Sequence, residues 1–229
     1  MAEGDTARFV LVRHGETDYN REGRWQGSES DPPLTARGRR QAQGVAEELA
    51  GAEFDALYTS DLVRAVETAR VLAGAFGLQP RVLEGLREMS HGHWEGKTLG
   101  EILETWPEEH AAFEADPRGV RRPGGDSYGD LAARVWPLLD SLADRHRGES
   151  ILVVTHGGPI RLVLCDVTGT PLTERNQLGV DNGRWFVVEK SGEGWCAGEI
   201  DGVKGRSSAR PARAPRRPPR PPRGPSSRR

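Results

Sequence analysis

Two apolar runs, far apart in the chain, each end in a histidine followed by glycine. Residues 9–12 lead into Arg13-His14-Gly15, and residues 151–155 lead into His156-Gly157-Gly158. A continuous apolar and β-branched run is typical of a parallel strand buried on both faces, and ligands collect at the carboxyl ends of such strands. The two runs therefore predict that two imidazoles meet at one edge of a sheet.

Strand and helix patterns alternate along the rest of the sequence, which predicts an α/β domain. We expect strands at 8–13, 54–60, 80–83 and up to Thr155, and a final hairpin of 184–189 with 195–200. We expect a helix at 35–50, with Thr35 as N-cap, and a second helix that begins after the N-cap Asp61 and ends at Gly77. Further helices are expected at 99–115, with a break near Pro107, from Ser127 through Leu142, and at 159–168.

Charge divides the chain into two parts. Ten of its 32 basic residues lie in 204–229, which contains no acidic residue, so the other 22 face all 34 acidic residues and give the remainder a formal charge of about −12. The tail is rich in Pro and Arg and has too few apolar side chains to offset the entropy of ordering, which predicts disorder. We therefore divide the chain into a flexible N-terminus (1–7), a catalytic domain (8–203) and a disordered basic tail (204–229). Three interpretations of the tail stay open: a segment that binds polyanions weakly, a dispensable extension, and a C-terminus produced by an altered reading frame.

Cysteine usage and the N-terminus bear on location. Two cysteines, Cys165 and Cys196, cannot form a disulfide framework, and the first residues are acidic rather than apolar. No apolar segment reaches the roughly 18 residues of a membrane span. We expect a cytoplasmic protein without membrane insertion.

Four separated motifs include the two apolar runs' His-Gly ends and add two further segments between them. They are Arg13-His14-Gly15-Glu16-Thr17 with Asn20; residues 59–69, which contain Arg64; residues 86–96, which contain Glu88; and Thr155-His156-Gly157-Gly158. In this order and spacing, over roughly residues 8 to 200, they resemble the histidine phosphatase superfamily, which is phosphoglycerate mutase-like. The pattern is similar to its bacterial phosphatase branch.

The residues themselves suit phosphoryl transfer. A neutral imidazole such as His14 can act as the nucleophile, and the guanidinium forks of Arg13 and Arg64 match phosphate oxygens. His156 can donate to the phosphoryl group, which we expect it to do best when protonated. A glutamate can supply the proton for the leaving group, and Glu88 competes with Glu95 for that role.

The resemblance implies a three-layer α/β/α sandwich with a central, mostly parallel sheet, and a phosphomonoester hydrolase that forms a phosphohistidine on His14 with Glu88 as proton donor. It implies that the substrate is a small-molecule phosphate ester, with no cofactor and no metal. The implied catalytic residues are His14, Glu88, Arg13, Arg64 and His156. The implied substrate contacts are Arg13, His14, Gly15, Glu16, Thr17, Asn20, Gln26, Gly27, Arg64 and Gly157.

Two other functions stay open. A cofactor-dependent phosphoglycerate mutase is the first alternative, although residues 96–127 are short and rather acidic, and Arg121 and Arg122 are the candidates for a substrate carboxylate. A non-catalytic scaffold that uses the basic tail is the second. A homodimer is possible.

Several other residues have local interpretations. His91 and His93 have a spacing that could bind a metal, but pocket lining or a solvated loop fits them better. His110 and His146 lie in polar helical segments and are predicted to be surface residues. Asn182-Gly183 either closes the pocket or makes a turn.

Overall fold

The computed structural model describes residues 5–198. The basic tail at 204–229, the end of the predicted hairpin at 199–200 and residues 1–4 of the predicted flexible N-terminus lie outside the described residues. The strands are β1 (Ala7–Arg13), β2 (Ala56–Thr59), β3 (Pro80–Val82), β4 (Ser150–Thr155), β5 (Trp185–Ser191) and β6 (Gly194–Ala197). The α-helices are α1 (Asp18–Arg21), α2 (Ala36–Glu48), α3 (Val63–Phe76), α4 (Leu99–Thr105), α5 (Pro107–Ala115), α6 (Tyr128–Arg145) and α7 (Gly157–Thr168).

The six strands form one sheet in the order β3-β2-β4-β1-β5-β6. The first four strands of this order are parallel to their neighbours, whereas β5 and β6 are antiparallel. Helices follow β1, β2 and β3 and return the chain to the start of the next parallel strand, as such connections require, whereas α7 leads from β4 to the antiparallel β5. The predicted mostly parallel sheet is confirmed, with an antiparallel hairpin at one edge.

Alternate residues of the central strands pack into two separate cores, one on each face of the sheet. Val10 and Val12 of β1 contact the core that α2 and α3 cover. Phe9 and Leu11 face the opposite core, which α6 and α7 cover. Because side chains of a strand alternate between faces, one apolar run can build both layers. The predicted three-layer α/β/α sandwich is confirmed.

Most helix boundaries follow the local signals in the sequence. Thr35 caps α2 by accepting from the amide of Gly38, and Ser127 forms a capping box at the start of α6. Gly77 ends α3 in the left-handed conformation, with φ of 66°. Pro107 separates α4 from α5, as predicted, because it stands at the first position of α5.

The N-cap predicted for α3 is wrong. Leu62, not Asp61, is the cap residue, and the Asp61 carboxylate instead pairs with Arg87. The amide of Val63 donates to the carboxylate of Asp31, at 2.8 Å, from a distant loop. Tertiary structure therefore supplies the acceptor that we expected from the local sequence.

Two other boundaries move by one or two residues. The first strand begins at Ala7, whose side chain is buried, one residue inside the segment that we assigned to a flexible N-terminus. The helix predicted to begin at Pro159 begins at Gly157, with His156 as its N-cap. None of the helices within residues 5–198 is long and apolar enough to cross a membrane.

Candidate active site

The ends of β1 and β4 bring the two predicted histidines together. The strands are parallel, with Arg13 opposite Thr155, and the amide of His14 donates to the carbonyl of Thr155 at 3.1 Å. The His14 and His156 rings, which follow these two residues, lie 5.1 Å apart between centroids, and both are buried. The meeting of two imidazoles at one edge of the sheet is therefore present in the structure.

His14 is held as a neutral imidazole with one free nitrogen. Its Nδ1 lies 2.7 Å from the carbonyl oxygen of Gly15. A carbonyl can only accept, so Nδ1 carries the hydrogen and Nε2 keeps its lone pair. Burial lowers the pKa of His14 well below its usual value, and the charges of Arg64 and Arg13 lower it further. At neutral pH the ring presents an unprotonated Nε2.

His156 has the opposite tautomer. The Nε of Arg64 donates to its Nδ1 at 3.2 Å, so Nδ1 is an acceptor and Nε2 carries the hydrogen. That Nε2 is buried without a hydrogen-bond partner among the described residues. Burial, with the charge of Arg64, lowers the pKa of His156 well below its usual value. We expected a protonated His156 to be the donor, whereas here the neutral ring offers one N–H.

Arg64 is fully buried in the first turn of α3 and is fixed by carbonyl oxygens. It donates to Ser30 at 2.8 Å and to Gly27 at 2.9 Å, and Asp31 lies 3.6 Å from it. The side-chain amide of Gln26, oriented with its oxygen toward the guanidinium, also accepts at 2.9 Å. Burial lowers the pKa of Arg64 to about 10, so it is charged at neutral pH. Its fixed guanidinium orients His156 and raises the positive potential around His14.

Arg13 has a guanidinium with spare hydrogen-bonding capacity. It donates from one terminal nitrogen to the carbonyl of Val180 at 2.7 Å, and its Nε is buried without a partner in the described part of the chain. Burial, aided by the nearby charge of Arg161, lowers its pKa to about 10. A charged donor that lacks an acceptor in a buried place points to an anionic ligand.

Two backbone amides orient the Glu88 carboxylate in the region of His14 and Arg13. One carboxylate oxygen accepts from the amide of Met89 and the other from the amide of Gly158, both at 2.9 Å. A Cβ at position 158 would lie 2.1 Å from the first oxygen, so only glycine allows the approach. Arg134 of α6 donates to the carbonyl of Glu88 and fixes the backbone of its loop.

A cavity of about 440 Å³ opens beside these groups. It is lined by six of the predicted site residues, namely Arg13, His14, Asn20, Gln26, Glu88 and Gly157. Arg64 and His156 lie behind this lining, fully buried. Helix α7 begins at the cavity with Gly157, and its dipole favours an anion there.

Besides Arg64, four of the predicted contacts do not line the cavity. Gly15 packs against α2, where a Cβ would lie 2.2 Å from the carbonyl oxygen of Gly38. Glu16 accepts from Thr35 and pairs with the exposed Arg37, and Thr17 caps α1. Gly27, an implied substrate contact, offers its carbonyl oxygen to Arg64. These residues hold the loop after β1 in place instead of reaching the cavity.

Other predictions for individual residues have mixed outcomes. Glu95, the rival of Glu88, accepts from the amides of Glu29, Ser30 and His91, so it ties two loops together. The side-chain amide of Asn182 donates to the carbonyl of His14 at 3.1 Å and to Asn20, and so it supports the turn after β1.

The outcomes for the histidines outside the central pair differ from one residue to the next. The prediction that His146 lies on the surface is wrong, because its ring is buried between Tyr58 and Glu149. His110 is half-buried, so it remains partly at the surface, and it lines the cavity. His91 lines the cavity, and within residues 5–198 no cluster of three or more His, Cys, Asp and Glu side chains could hold a metal ion.

Sequence reasoning missed a basic and aromatic part of the cavity wall. It consists of Trp25, Tyr128, Arg161 and Arg175. For Arg161 a signal existed, since it is the one charged residue within the apolar stretch 157–165 of α7. A lone arginine in a buried helix faces a partner or a ligand, because an unpaired buried charge is costly.

The sequence matches the model of a known family over residues 9–200, which is described as histidine phosphatase superfamily, branch 1. The chain belongs to the histidine phosphatase superfamily. Phosphoserine phosphatase 1 of Hydrogenobacter thermophilus is 34% identical over 181 residues, which is 79% of this chain and 85% of the relative. Phosphoglycerate mutase-like protein 4 of Arabidopsis thaliana is 42% identical over 160 residues, 69% of each chain.

A solved structure agrees with this assignment. The mycobacterial glucosyl-3-phosphoglycerate phosphatase in complex with VO3 superposes with a TM-score of 0.72 at 34% identity, over 83% of this chain and 96% of that one. Family membership and named phosphatase relatives together identify this histidine phosphatase family member as a phosphoric monoester hydrolase.

Proposed function

We propose that this enzyme hydrolyses phosphate monoesters of small metabolites through a phosphohistidine on His14, with Glu88 as the proton donor. The observation that carries the proposal is the state of His14. Its Nε2 has a free lone pair, beside a buried Arg13 Nε and a buried His156 Nε2–H that lack partners among the described residues. A nucleophile beside unsatisfied donors fits a tetrahedral phosphoryl group.

In the first step, Nε2 of His14 attacks phosphorus and the bond from phosphorus to the ester oxygen breaks. Glu88 gives its proton to the departing oxygen, which leaves as an alcohol. Arg13 and the N–H of His156 bind the equatorial oxygens, where negative charge is concentrated in the transition state. The hydrogen on Nδ1 stays with His14, held by Gly15, so the ring becomes cationic as it accepts the phosphoryl group.

In the second step, water attacks the phosphohistidine. The Glu88 carboxylate takes a proton from this water, the bond from phosphorus to nitrogen breaks, and inorganic phosphate leaves. His14 regains its free Nε2 and Glu88 regains its proton, so the cycle closes. A mutase would transfer the phosphoryl group to a second substrate hydroxyl instead of to water.

The test is phosphate release from p-nitrophenyl phosphate, O-phosphoserine and 3-phosphoglycerate, with conversion of 3- to 2-phosphoglycerate followed in parallel. We expect His14→Ala to reduce phosphate release by about 10³-fold or more, as loss of a nucleophile does. We also expect acid-labile phosphate on the quenched wild-type protein and none on His14→Ala. His93→Ala is the matched control, since this exposed histidine packs on Trp106 outside the cavity.

Each alternative function has its own result. Isomer conversion without phosphate release would replace the hydrolase with a mutase. No turnover of any substrate by folded wild-type protein would favour the non-catalytic scaffold. Full activity in His14→Ala would overturn the assignment of the nucleophile.

A further inference from the structure

Two guanidinium groups in the cavity have no role in the phosphoryl transfer proposed above. Arg122 is 3% exposed, and its Nε is buried without a hydrogen-bond partner within the described residues. The Nε of Arg161 is likewise buried and unpartnered. Both residues line the cavity that contains His14. Buried charged donors are normally paired, so two exceptions in one cavity require an explanation.

The surroundings of Arg122 hold the charge in place without neutralising it. Its guanidinium carbon lies 4.0 Å from the ring centre of Phe113 and 5.4 Å from that of Trp25. One terminal nitrogen contacts the sulfur of Met89 and the carbonyl oxygen of Asp126. Aromatic faces attract a cation and restrict its motion, but they supply no negative charge. The guanidinium is therefore held in place with part of its hydrogen-bonding fork unused.

The carboxylates near this end of the cavity are already engaged. Glu114 pairs with Arg175, and Glu88 accepts two backbone amides. Among residues 5–198 no carboxylate oxygen lies within 4.0 Å of a nitrogen of Arg122 or Arg161. Burial lowers the pKa of Arg122 to about 10, so it remains a cation at neutral pH. The outer part of the cavity thus has uncompensated positive charge.

Arg161 connects this outer region to the phosphoryl site. A Cβ at Gly157 would lie 2.7 Å from a terminal nitrogen of Arg161 and 3.5 Å from the Nε of Arg13. The guanidinium groups of Arg161 and Arg13 are therefore neighbours at the start of α7. Arg161 can reach a ligand that extends from His14 toward Arg122.

The geometry points to a substrate whose leaving group has a carboxylate, held by Arg122 with Arg161 beside it. This inference rests on the proposed function, since it assigns the second anionic group of the same substrate. A guanidinium fork matches the two oxygens of a carboxylate, and one carboxylate supplies the single negative charge that Arg122 lacks. The cavity of about 440 Å³ is of the size that small-molecule ligands occupy.

The position of the neighbouring arginine sharpens the assignment. Arg121 and Arg122 were equal candidates for a substrate carboxylate from the sequence. Arg121 is exposed and pairs with Asp130, whereas Arg122 points into the cavity. Arg121 is therefore a control with the same chemistry at the next position in the chain.

Two matched substrate pairs test the inference. O-phosphoserine and O-phosphoethanolamine differ only by a carboxylate, and 3-phosphoglycerate and glycerol 3-phosphate differ by the replacement of a carboxylate with a hydroxymethyl group. We expect wild-type protein to prefer the carboxylate member of at least one pair by about tenfold or more in kcat/KM, the usual value of a charged contact. Arg122→Met should reduce that preference to about twofold or less, mainly through a higher KM. Arg121→Met should keep it.

Additional variants address the case in which Arg122→Met fails to fold. Arg122→Lys retains the charge without the fork and should keep part of the preference. Arg161→Met should reduce it without any change in the packing around Phe113. Hydrolysis of p-nitrophenyl phosphate, which has no carboxylate, shows that the proposed chemistry operates. If that activity is present and wild-type protein shows no carboxylate preference, or if Arg122→Met lowers both members of a pair equally, the inference is overturned.

Discussion

The two ends of β4 each have a buried histidine, and the two histidines differ in what their nitrogens contact. Before the strand, His146 contacts the hydroxyl of Tyr58 through Nε2 at 2.8 Å and the carboxylate of Glu149 through Nδ1 at 2.5 Å. After the strand, His156 accepts from Arg64 at one nitrogen, and its other nitrogen has no partner in the described chain. Both rings are buried, so burial alone does not distinguish them.

What distinguishes the two ends is how completely the buried polar atoms are satisfied. Within residues 5–198, six buried side-chain nitrogens lack a hydrogen-bond partner, and they belong to Arg13, His91, Trp94, Arg122, His156 and Arg161. Four of these residues line the cavity of about 440 Å³. His156 contacts His14 at its edge, and Trp94 packs on Trp25 of its wall. Since an unsatisfied buried donor costs about 1–3 kcal/mol, such a cluster indicates a binding site rather than a packing defect.

The largest expected effect that separates the two ends is loss of activity in His156→Ala. This change removes a fixed N–H donor to the phosphoryl oxygens, which in comparable sites costs about 10²–10³-fold in kcat. Steady-state kinetics with p-nitrophenyl phosphate measures it. His146→Ala is the matched control and should retain wild-type kcat, because its ring contacts Tyr58 and Glu149 and lies outside the cavity. Equal losses in the two variants would contradict the comparison.

A smaller effect is expected from Gly158→Ala. The added Cβ would lie 2.1 Å from an oxygen of Glu88 and would displace this carboxylate. Displacement of a catalytic group by about 1 Å can cost about 10²-fold in rate. The loss should be larger for alkyl phosphates than for p-nitrophenyl phosphate, whose leaving group needs less protonation. Gly74→Ala in α3, where nothing lies near the added Cβ, should leave the rate unchanged.

Substitution of His146, which precedes β4, should lower the stability of the protein. His146→Ala removes the partner of the buried Tyr58 hydroxyl, which retains only Arg81 at 3.2 Å, and opens a small cavity. We expect a loss of about 1–3 kcal/mol in the free energy of unfolding, measured by urea denaturation. A variant with unchanged stability would show that the contacts of His146 contribute nothing to folding.

The difference between the two ends also shows what the sequence reveals and what it does not. The runs at 9–12 and 151–155 predicted the adjacent strands and the meeting of His14 with His156, because a buried strand has a local sequence pattern. His146 has a polar neighbourhood in sequence, so we expected it on the surface. Its burial depends on Tyr58, which is 88 residues away. Contacts of this kind have no local pattern.

The same limit applies to the N-cap of α3 and to the tautomers of His14 and His156. The cap acceptor for α3 comes from Asp31, which packs beside Val63 only in the folded chain. The tautomers of His14 and His156 depend on Gly15 and Arg64, and no sequence pattern predicts the direction of those hydrogen bonds.

The smallest expected effect concerns His156, after the end of β4, and its contribution to the pH dependence of the protein's stability. Burial lowers the pKa of His156 in the folded state, whereas in the unfolded chain it is about 6.5. Below pH 6.5 the unfolded state binds a proton that the folded state does not, so this histidine reduces stability as the pH falls. The contribution between pH 7 and pH 5 is at most about 2 kcal/mol, a limit that the pKa of the unfolded chain sets. His156→Ala removes it, so the difference in unfolding free energy between the variant and the wild type should shift by that amount in favour of the variant at pH 5.

Urea denaturation at both pH values measures the shift, and the carboxylates that titrate in both proteins cancel. A shift of zero or of opposite sign would mean that His156 is protonated in the folded protein, and the neutral donor assigned to the phosphoryl site would then be wrong.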